Sequence, residues 1–223
     1  MKNNSVHLDG VLEAFKVLKT DESGGLAWAS VVTLHPKDNM AGDTAPSVRY
    51  DRLHHDVQVL ADKDSVDRLS FFAEGLKTQQ ESGSVFACSL DGRIGYDGKE
   101  NFVVCDVKDL YRSDLVKTNG NNQVNVSGEV VSAAIMGENA KITVKVGDVI
   151  IESHVSRREH SSVWDMVAGG SLKKGNLVSF SGPLLSQQYT DGKQTMRSCS
   201  VSPHLFQKIG LDKKTTRKTG PVL

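Results

Sequence analysis

The sequence predicts an all-β protein of two tandem five-stranded Greek-key barrels, each with a short helix between its third and fourth strands. Three observations carry that prediction. Short β-favouring runs fill the 223 residues. A single helical segment interrupts them in each half. Part of the first half recurs in the second.

The recurrence is direct. Asn3, Asn4, Val6 and Gly10 match Asn121, Asn122, Val124 and Gly128 at a constant offset of 118, and Leu8 matches Val126. At the far end, Tyr96-Asp97-Gly98-Lys99 answers Tyr189-Thr190-Asp191-Gly192-Lys193. Cys105 and Cys199 each follow the Asp of that motif by eight positions. The repeat, near 100 residues, is too long for a solenoid unit and suits two copies of one domain.

In the first copy, Val6, Leu8 and Gly10 alternate with polar residues and the extended run continues to Leu18. Leu26 to Leu34 is a second strand, with Trp28 expected in the core. Val48 to Leu60 is a third. Ser65 to Leu76 places apolar residues at 66, 69, 72, 73 and 76, a helical spacing, with Asp64 or Ser65 as cap. Val85 to Leu90 and Phe102 to Val107 complete the set. The second copy gives the same order: Val124 to Ile135, Ile142 to Val146 and Val149 to Val155 as strands, Ser161 to Val167 as helix with Trp164 as barrel plug, then Leu177 to Phe180 and Met196 to Val201. Asp97-Gly98 and Asp191-Gly192 mark hairpin turns. Three strands, a helix and two strands is the order of the OB fold.

The polar stretch Thr118 to Asn122 suits a linker. The expected domains are 1–118 and 119–206, with 207–223 a basic, flexible tail. Formal net charge is zero, but residues 1–118 hold 14 Lys+Arg against 19 Asp+Glu, residues 119–206 hold 8 against 7, and residues 207–223 hold 5 against 1. Phosphate attraction is therefore expected in the second copy and the tail. No apolar run approaches the ~20 residues of a membrane span. The N-terminus has no signal-peptide core, so a cytoplasmic protein is expected. Cys88, Cys105 and Cys199 form no CxxC, which gives no basis for a zinc site, and they are expected to be small, reduced and buried.

Asn122 to Gly128, Leu172-Lys173-Lys174-Gly175-Asn176-Leu177 to Gly182, and Tyr189 to Lys193 together resemble the bacterial single-stranded DNA-binding protein family, over residues 122–206. The first copy resembles it through Asn4 to Gly10 and Tyr96 to Lys99. The resemblance implies OB folds, sequence-independent binding of single-stranded DNA in replication, recombination or repair, and four barrels per assembly. A homodimer of this chain would supply the four. The chain departs from the family in having two barrels and a basic end, so partner recruitment through an acidic tip is not implied.

Such binding needs cations for phosphates and rings for bases. Tyr96 with Lys99, and Tyr189 with Lys193, are candidate pairs at equivalent hairpins. In the third strand Tyr50, Arg52 and His54 share one face and Arg49 the other. Lys141, Lys145, Arg157, Arg158, Lys173, Lys174 and Arg197 are the basic candidates of the second copy. His54 and His55 point to opposite faces of a strand and cannot chelate one ion, so no metal is expected, nor any cofactor. No phosphate loop, metalloprotease helix or nucleophile elbow occurs, so no enzyme is expected. RNA is a further candidate ligand, and replication or recombination proteins are candidate partners. The competing function is a protein-docking or dimerisation scaffold with weak or no DNA binding, favoured by the acidic first half.

Overall fold

A computed structural model of the chain describes residues 3–36, 50–113, 122–158, 160–191, 194–203 and 205–211. Strands dominate it. The first copy comprises β1 (Asn3–Asp21), β2 (Gly24–Pro36), β3 (Tyr50–Asp62), α1 (Asp67–Glu81), β4 (Phe86–Tyr96), β5 (Asn101–Asp106) and β6 (Leu110–Arg112). The second comprises β7 (Asn122–Met136), β8 (Asn139–Val146), β9 (Val149–Ser156), α2 (Ser161–Ala168), β10 (Asn176–Gly182), β11 (Leu184–Asp191), β12 (Gln194–Val201) and β13 (Leu205–Leu211).

The first copy closes on itself. β1 pairs antiparallel with β2 and with β4, β2 with β3, and β4 with β5. β3 and β5 run parallel. The ring is therefore β1-β2-β3-β5-β4-β1, the five-stranded OB barrel. The second copy repeats it: β7 with β8, β8 with β9, β9 parallel with β12, and β10 with β7. Its fourth strand is broken at Pro183 into β10, which pairs with β7, and β11, which pairs with β12. Closure removes the open edges that a flat sheet of this size would expose.

The repeated residues occupy repeated ladder positions. Val6 faces Gly92 and Leu8 faces Leu90, while Val124 faces Gly182 and Val126 faces Phe180. Each first strand carries a bulge at the same place, between Leu12 and Ala14 and between Val130 and Ser132. A Cβ on Gly10 would stand 2.3 Å from the Val32 carbonyl oxygen, and one on Gly128 2.4 Å from that of Lys145. The matched glycine is where one strand's backbone crosses directly onto the next, a place no side chain fits.

Burial explains the cores. Leu8, Leu12, Val31, Val57, Val59, Leu90, Ile94 and Val103 fill the first barrel, and Val126, Val130, Ile142, Val144, Ile151, Val155 and Phe180 the second. Leu69, Phe72 and Leu76 are the buried face of α1. Phe72 packs on Phe15 and Phe86, with ring centroids 5.9 and 6.1 Å away. The shorter α2 buries Val163 and Val167.

Four readings change. The N-cap of α1 is Val66 without a side-chain cap, because the Ser65 hydroxyl donates to the Asp62 carboxylate at 2.6 Å instead. Trp28 is half-buried rather than core, since the buried Ala27, Ala29 and Val31 take the inner face of β2. A sixth strand follows each barrel: Leu90 faces Leu110 in β6, and Phe180 faces Phe206 in β13 at the equivalent position. Residues 207–211, assigned to a flexible tail from their charge, therefore pair with β10 as part of β13. Residues 212–223 lie outside the described set.

The chain forms two compact units. One holds Ser5–Gln123 with Leu185–Cys199, and the other Met1–Asn4, Val124–Leu184 and Ser200–Leu223. Within the first, the buried His55 ring meets the Thr33 hydroxyl at 2.8 Å and the Ser186 hydroxyl at 2.7 Å. Burial, with the His54 charge behind it, pushes the imidazole down to about 3. Burial pushes the Cys88 and Cys105 thiols up to about 12, so both are inert at neutral pH. The Cys199 side chain lies outside the described set. No described helix is long and apolar enough to cross a membrane.

Candidate nucleic-acid interface

Strand alternation turns one face of each barrel's first three strands inward and the other outward. In the first barrel Lys16 faces Trp28 across β1 and β2, and Trp28 faces Gln58 across β2 and β3. These three side chains stand abreast on the outer face. In the second barrel the corresponding row is Ala134, Lys141 and His154. Two rows further along, Val32 and His54 correspond to Lys145 and Ile150.

Tyr50 begins β3 with 37% of its surface exposed. Arg52 and His54 follow on the same face, as alternation requires. Both reach one carboxylate. Arg52 pairs with Glu13 Oε1, and His54 Nδ1 lies 3.3 Å from Glu13 Oε2. Glu13 is the extra residue of the β1 bulge, so its side chain joins the outer face beside Ala14 rather than alternating inward. The Gln80 side chain of α1 donates to the Glu13 carbonyl at 3.1 Å and holds the bulge in place. His55, one residue on, is buried on the opposite face.

The second barrel's outer face carries Lys141, Lys145 and His154. Lys141 Nζ lies 2.6 Å from Glu152 Oε1, and His154 Nε2 lies 3.9 Å from Oε2. Lys145 is exposed and makes no ion pair among the described residues. Arg157 follows β9 and lies over the Trp164 ring, 4.4 Å from its centroid. This stacking fixes the guanidinium plane against α2 and makes Trp164 a half-buried platform rather than a barrel plug. Arg158 is exposed beside it.

At the first hairpin, Asp97 closes the turn by accepting the N–H groups of Lys99 at 2.8 Å and Glu100 at 2.9 Å. These bonds hold its carboxyl below the usual carboxylate range. The Tyr96 hydroxyl donates to the Gly98 carbonyl at 2.9 Å, leaving the ring 37% exposed over its own turn. Lys99 projects beside it, exposed. Tyr189 and Arg197 lie on β11 and β12, with their side chains outside the described set. Arg49 and Lys193 lie outside the described residues.

The expected residues thus fall into four groups: Tyr50, Arg52 and His54 on the first outer face, Lys141 and Lys145 on the second, Arg157 with Arg158 just after β9, and Tyr96 with Lys99 at a hairpin tip. Sequence reading misses Lys16, Trp28, Glu13 and Glu152. Parity could have found Trp28, which alternates with Ala27 and Ala29. Glu13 was out of reach, because its face depends on the bulge.

No protein-family model and no curated protein matches the chain. Among solved structures it is similar to the single-stranded DNA binding protein from Thermus aquaticus, at 14% identity over 100% of this chain and 96% of that one, with a TM-score of 0.65. A deletion mutant of the same protein matches at 15% identity over 93% and 94%, also with a TM-score of 0.65. At that identity the likeness establishes the OB fold that the strand pairing shows independently, along nearly the whole of both chains.

Proposed function

We propose that the chain binds single-stranded DNA without regard to sequence and acts, without catalysis, in replication, recombination or repair. The observation that carries this reading is the row Lys16, Trp28 and Gln58, which sets a half-buried ring beside a cation on the outer face of an OB barrel. Base stacking on such a ring is worth ~1–3 kcal/mol per base. Tyr50 and Tyr96 are further ring faces in the same barrel. Lys141, Lys145, Arg157 and Arg158 supply the second barrel with cations for phosphates. The likeness to a single-stranded DNA binding protein supports the choice of ligand, and the family resemblance supports a homodimer with four barrels.

Titrating the full chain with fluorescent oligo-dT at low salt tests the reading. Binding that weakens linearly in log salt is expected. Trp28→Phe should reduce the quenching of protein fluorescence by the strand. Absence of binding at low salt would overturn the proposal. Sedimentation of the full chain with and without DNA checks the assembly, which should run as a dimer in both cases.

A second reading, a protein-docking or dimerisation scaffold, is favoured by one specific observation. The Arg52 guanidinium and the His54 ring of the first outer face already face the Glu13 carboxylate. Variants on each face separate the readings. If Lys141→Glu and Lys145→Glu abolish DNA binding while Trp28→Ala leaves it unchanged, the first barrel has the docking role.

A further inference from the structure

Each outer face combines a permanent cation and a histidine on one carboxylate. In the first barrel Glu13 takes Arg52 and His54. In the second Glu152 takes Lys141 and His154. The two carboxylates arrive by different routes. Glu13 sits in the β1 bulge, where the second barrel has Val131. Glu152 sits in the middle of β9, across from Thr143, where the first barrel has Asp56. The two clamps are therefore not simple copies, since the position of Glu13 holds Val131 in the second barrel, while the acid at the position of Glu152 recurs as Asp56.

We propose that Glu13 and Glu152 are internal counter-ions that occupy the phosphate-binding cations of each barrel until a phosphodiester strand displaces them. The inference rests on the single-strand reading above and states how that site is regulated. A carboxylate presents two anionic oxygens, as a phosphodiester does, so the same fork of donors serves either. The pairs are partly exposed: the side chains of Arg52 and Glu13 are 60% and 33% exposed, and those of Lys141 and Glu152 33% and 39%. Exposed pairs of this kind are weak and screened by salt. The carboxylate is thus displaceable, and it lowers affinity without closing the site. The Gln80 bond to the Glu13 carbonyl keeps this carboxylate on the face after its cations leave. A bound strand therefore continues to meet the Glu13 charge in the first barrel.

The test uses the full chain, oligo-dT and a salt series. Glu13→Gln and Glu152→Gln keep side-chain size and remove one charge each. Each should raise affinity about three- to tenfold at ~50 mM salt and steepen the salt dependence by roughly 0.7 for each additional phosphate neutralised. The increase from Glu13→Gln should vanish when Arg52→Gln and His54→Gln are also present. Likewise, the increase from Glu152→Gln should vanish with Lys141→Gln and His154→Gln. Increases that survive removal of the cations would be a general charge effect and would overturn the proposal. Unchanged affinity in both single variants, with the unmodified chain binding normally, would overturn it and leave the single-strand reading standing. No binding by the unmodified chain or by any variant would overturn both. Thermal melts of the glutamine variants, expected to match the unmodified chain, separate affinity from folding.

Discussion

The two barrels share their backbone ladders and differ in the side chains those ladders carry. They share strand order, ladder register, the bulge in the first strand, the glycine at the backbone crossing and a sixth strand on the fourth. On the outer face Trp28 in one corresponds to Lys141 in the other, and Val32 to Lys145. Inside, His55 corresponds to Ile151. Backbone geometry tolerates little change, because a glycine at a crossing or a register set by a buried face cannot drift one residue without turning the core outward. Outward side chains that reach solvent, as Trp28 and Lys141 do, touch only their neighbours and solvent, so they are free to diverge into a ring-bearing surface and a lysine-bearing one.

The largest expected difference between the copies lies in their helices. Phe72→Ala removes a buried ring that packs against Phe15, Phe71 and Phe86. It should cost about 3–5 kcal/mol. Val163→Ala in the shorter α2 removes two carbons and should cost about 2 kcal/mol. Urea melts followed by far-ultraviolet circular dichroism would measure both. Equal losses would mean that the two helices contribute alike, and the contrast between the copies would fail at its first step.

Gly10→Ala and Gly128→Ala sharpen the similarity instead. Each forces a Cβ into a carbonyl oxygen at 2.3 or 2.4 Å. A backbone shift costing about 3 kcal/mol is expected at each, and the two losses should agree within ~1 kcal/mol. A neutral result at either position would show that the crossing in that barrel is not the close approach described.

Acid sensitivity should belong to the first unit. His55 is held down to about 3 by burial, against ~6.5 in the unfolded chain. A folded value below the unfolded one means that the unfolded state binds the proton first as pH falls. The stability is complete above ~6.5 and is lost progressively from there towards 3. Between pH 7 and 5 the loss should reach about 2 kcal/mol. His55→Ile, which carries the second barrel's residue to the same ladder position, should flatten that slope. It leaves the Thr33 and Ser186 hydroxyls without the ring, so it should also cost about 1 kcal/mol at pH 7. An unchanged slope in the variant would move the acid sensitivity elsewhere.

The shared features were the ones legible in the sequence. An offset of 118 between matching Asn, Val and Gly residues is a statement about register, and the ladders agree with it. The helices and the first hairpin were legible for the same reason: their periods are local. The sixth strands were not, because Leu110-Tyr111-Arg112 and Phe206-Gln207-Lys208 are short and mixed, and only their partners in the fourth strands make them strands. β11 was hidden by Pro183, which interrupts the pattern without interrupting the path of the chain. The first barrel's ion pair was illegible in principle. Glu13 and Arg52 are 39 residues apart and meet only through a bulge, which has no signature in the alternation. Trp28 was legible by parity but was outweighed by its apolar character.

The smallest effects concern the outer lysines, and they divide the two surfaces most finely. Lys145 has no ion-pair partner among the described residues, whereas Lys141 is held by Glu152 at 2.6 Å. Phosphate binding by an unpaired lysine requires nothing to be displaced. Lys145→Ala should therefore weaken oligo-dT binding about three- to fivefold at low salt and reduce the salt slope by roughly 0.7. Lys141→Ala should weaken it less, about twofold, because Glu152 already neutralises Lys141 in the unbound chain. Val32→Lys makes the converse change by placing a lysine on the first barrel at the position of Lys145. Val32 is 4% exposed, so the new ammonium must extend past its neighbours to reach solvent, with its stem along the strand. If the outer faces differ only by their side chains, this one exchange should restore most of the affinity lost in Lys145→Ala. If affinity stays low, the difference between the barrels lies in the backbone after all, in the bulge and the acid it carries.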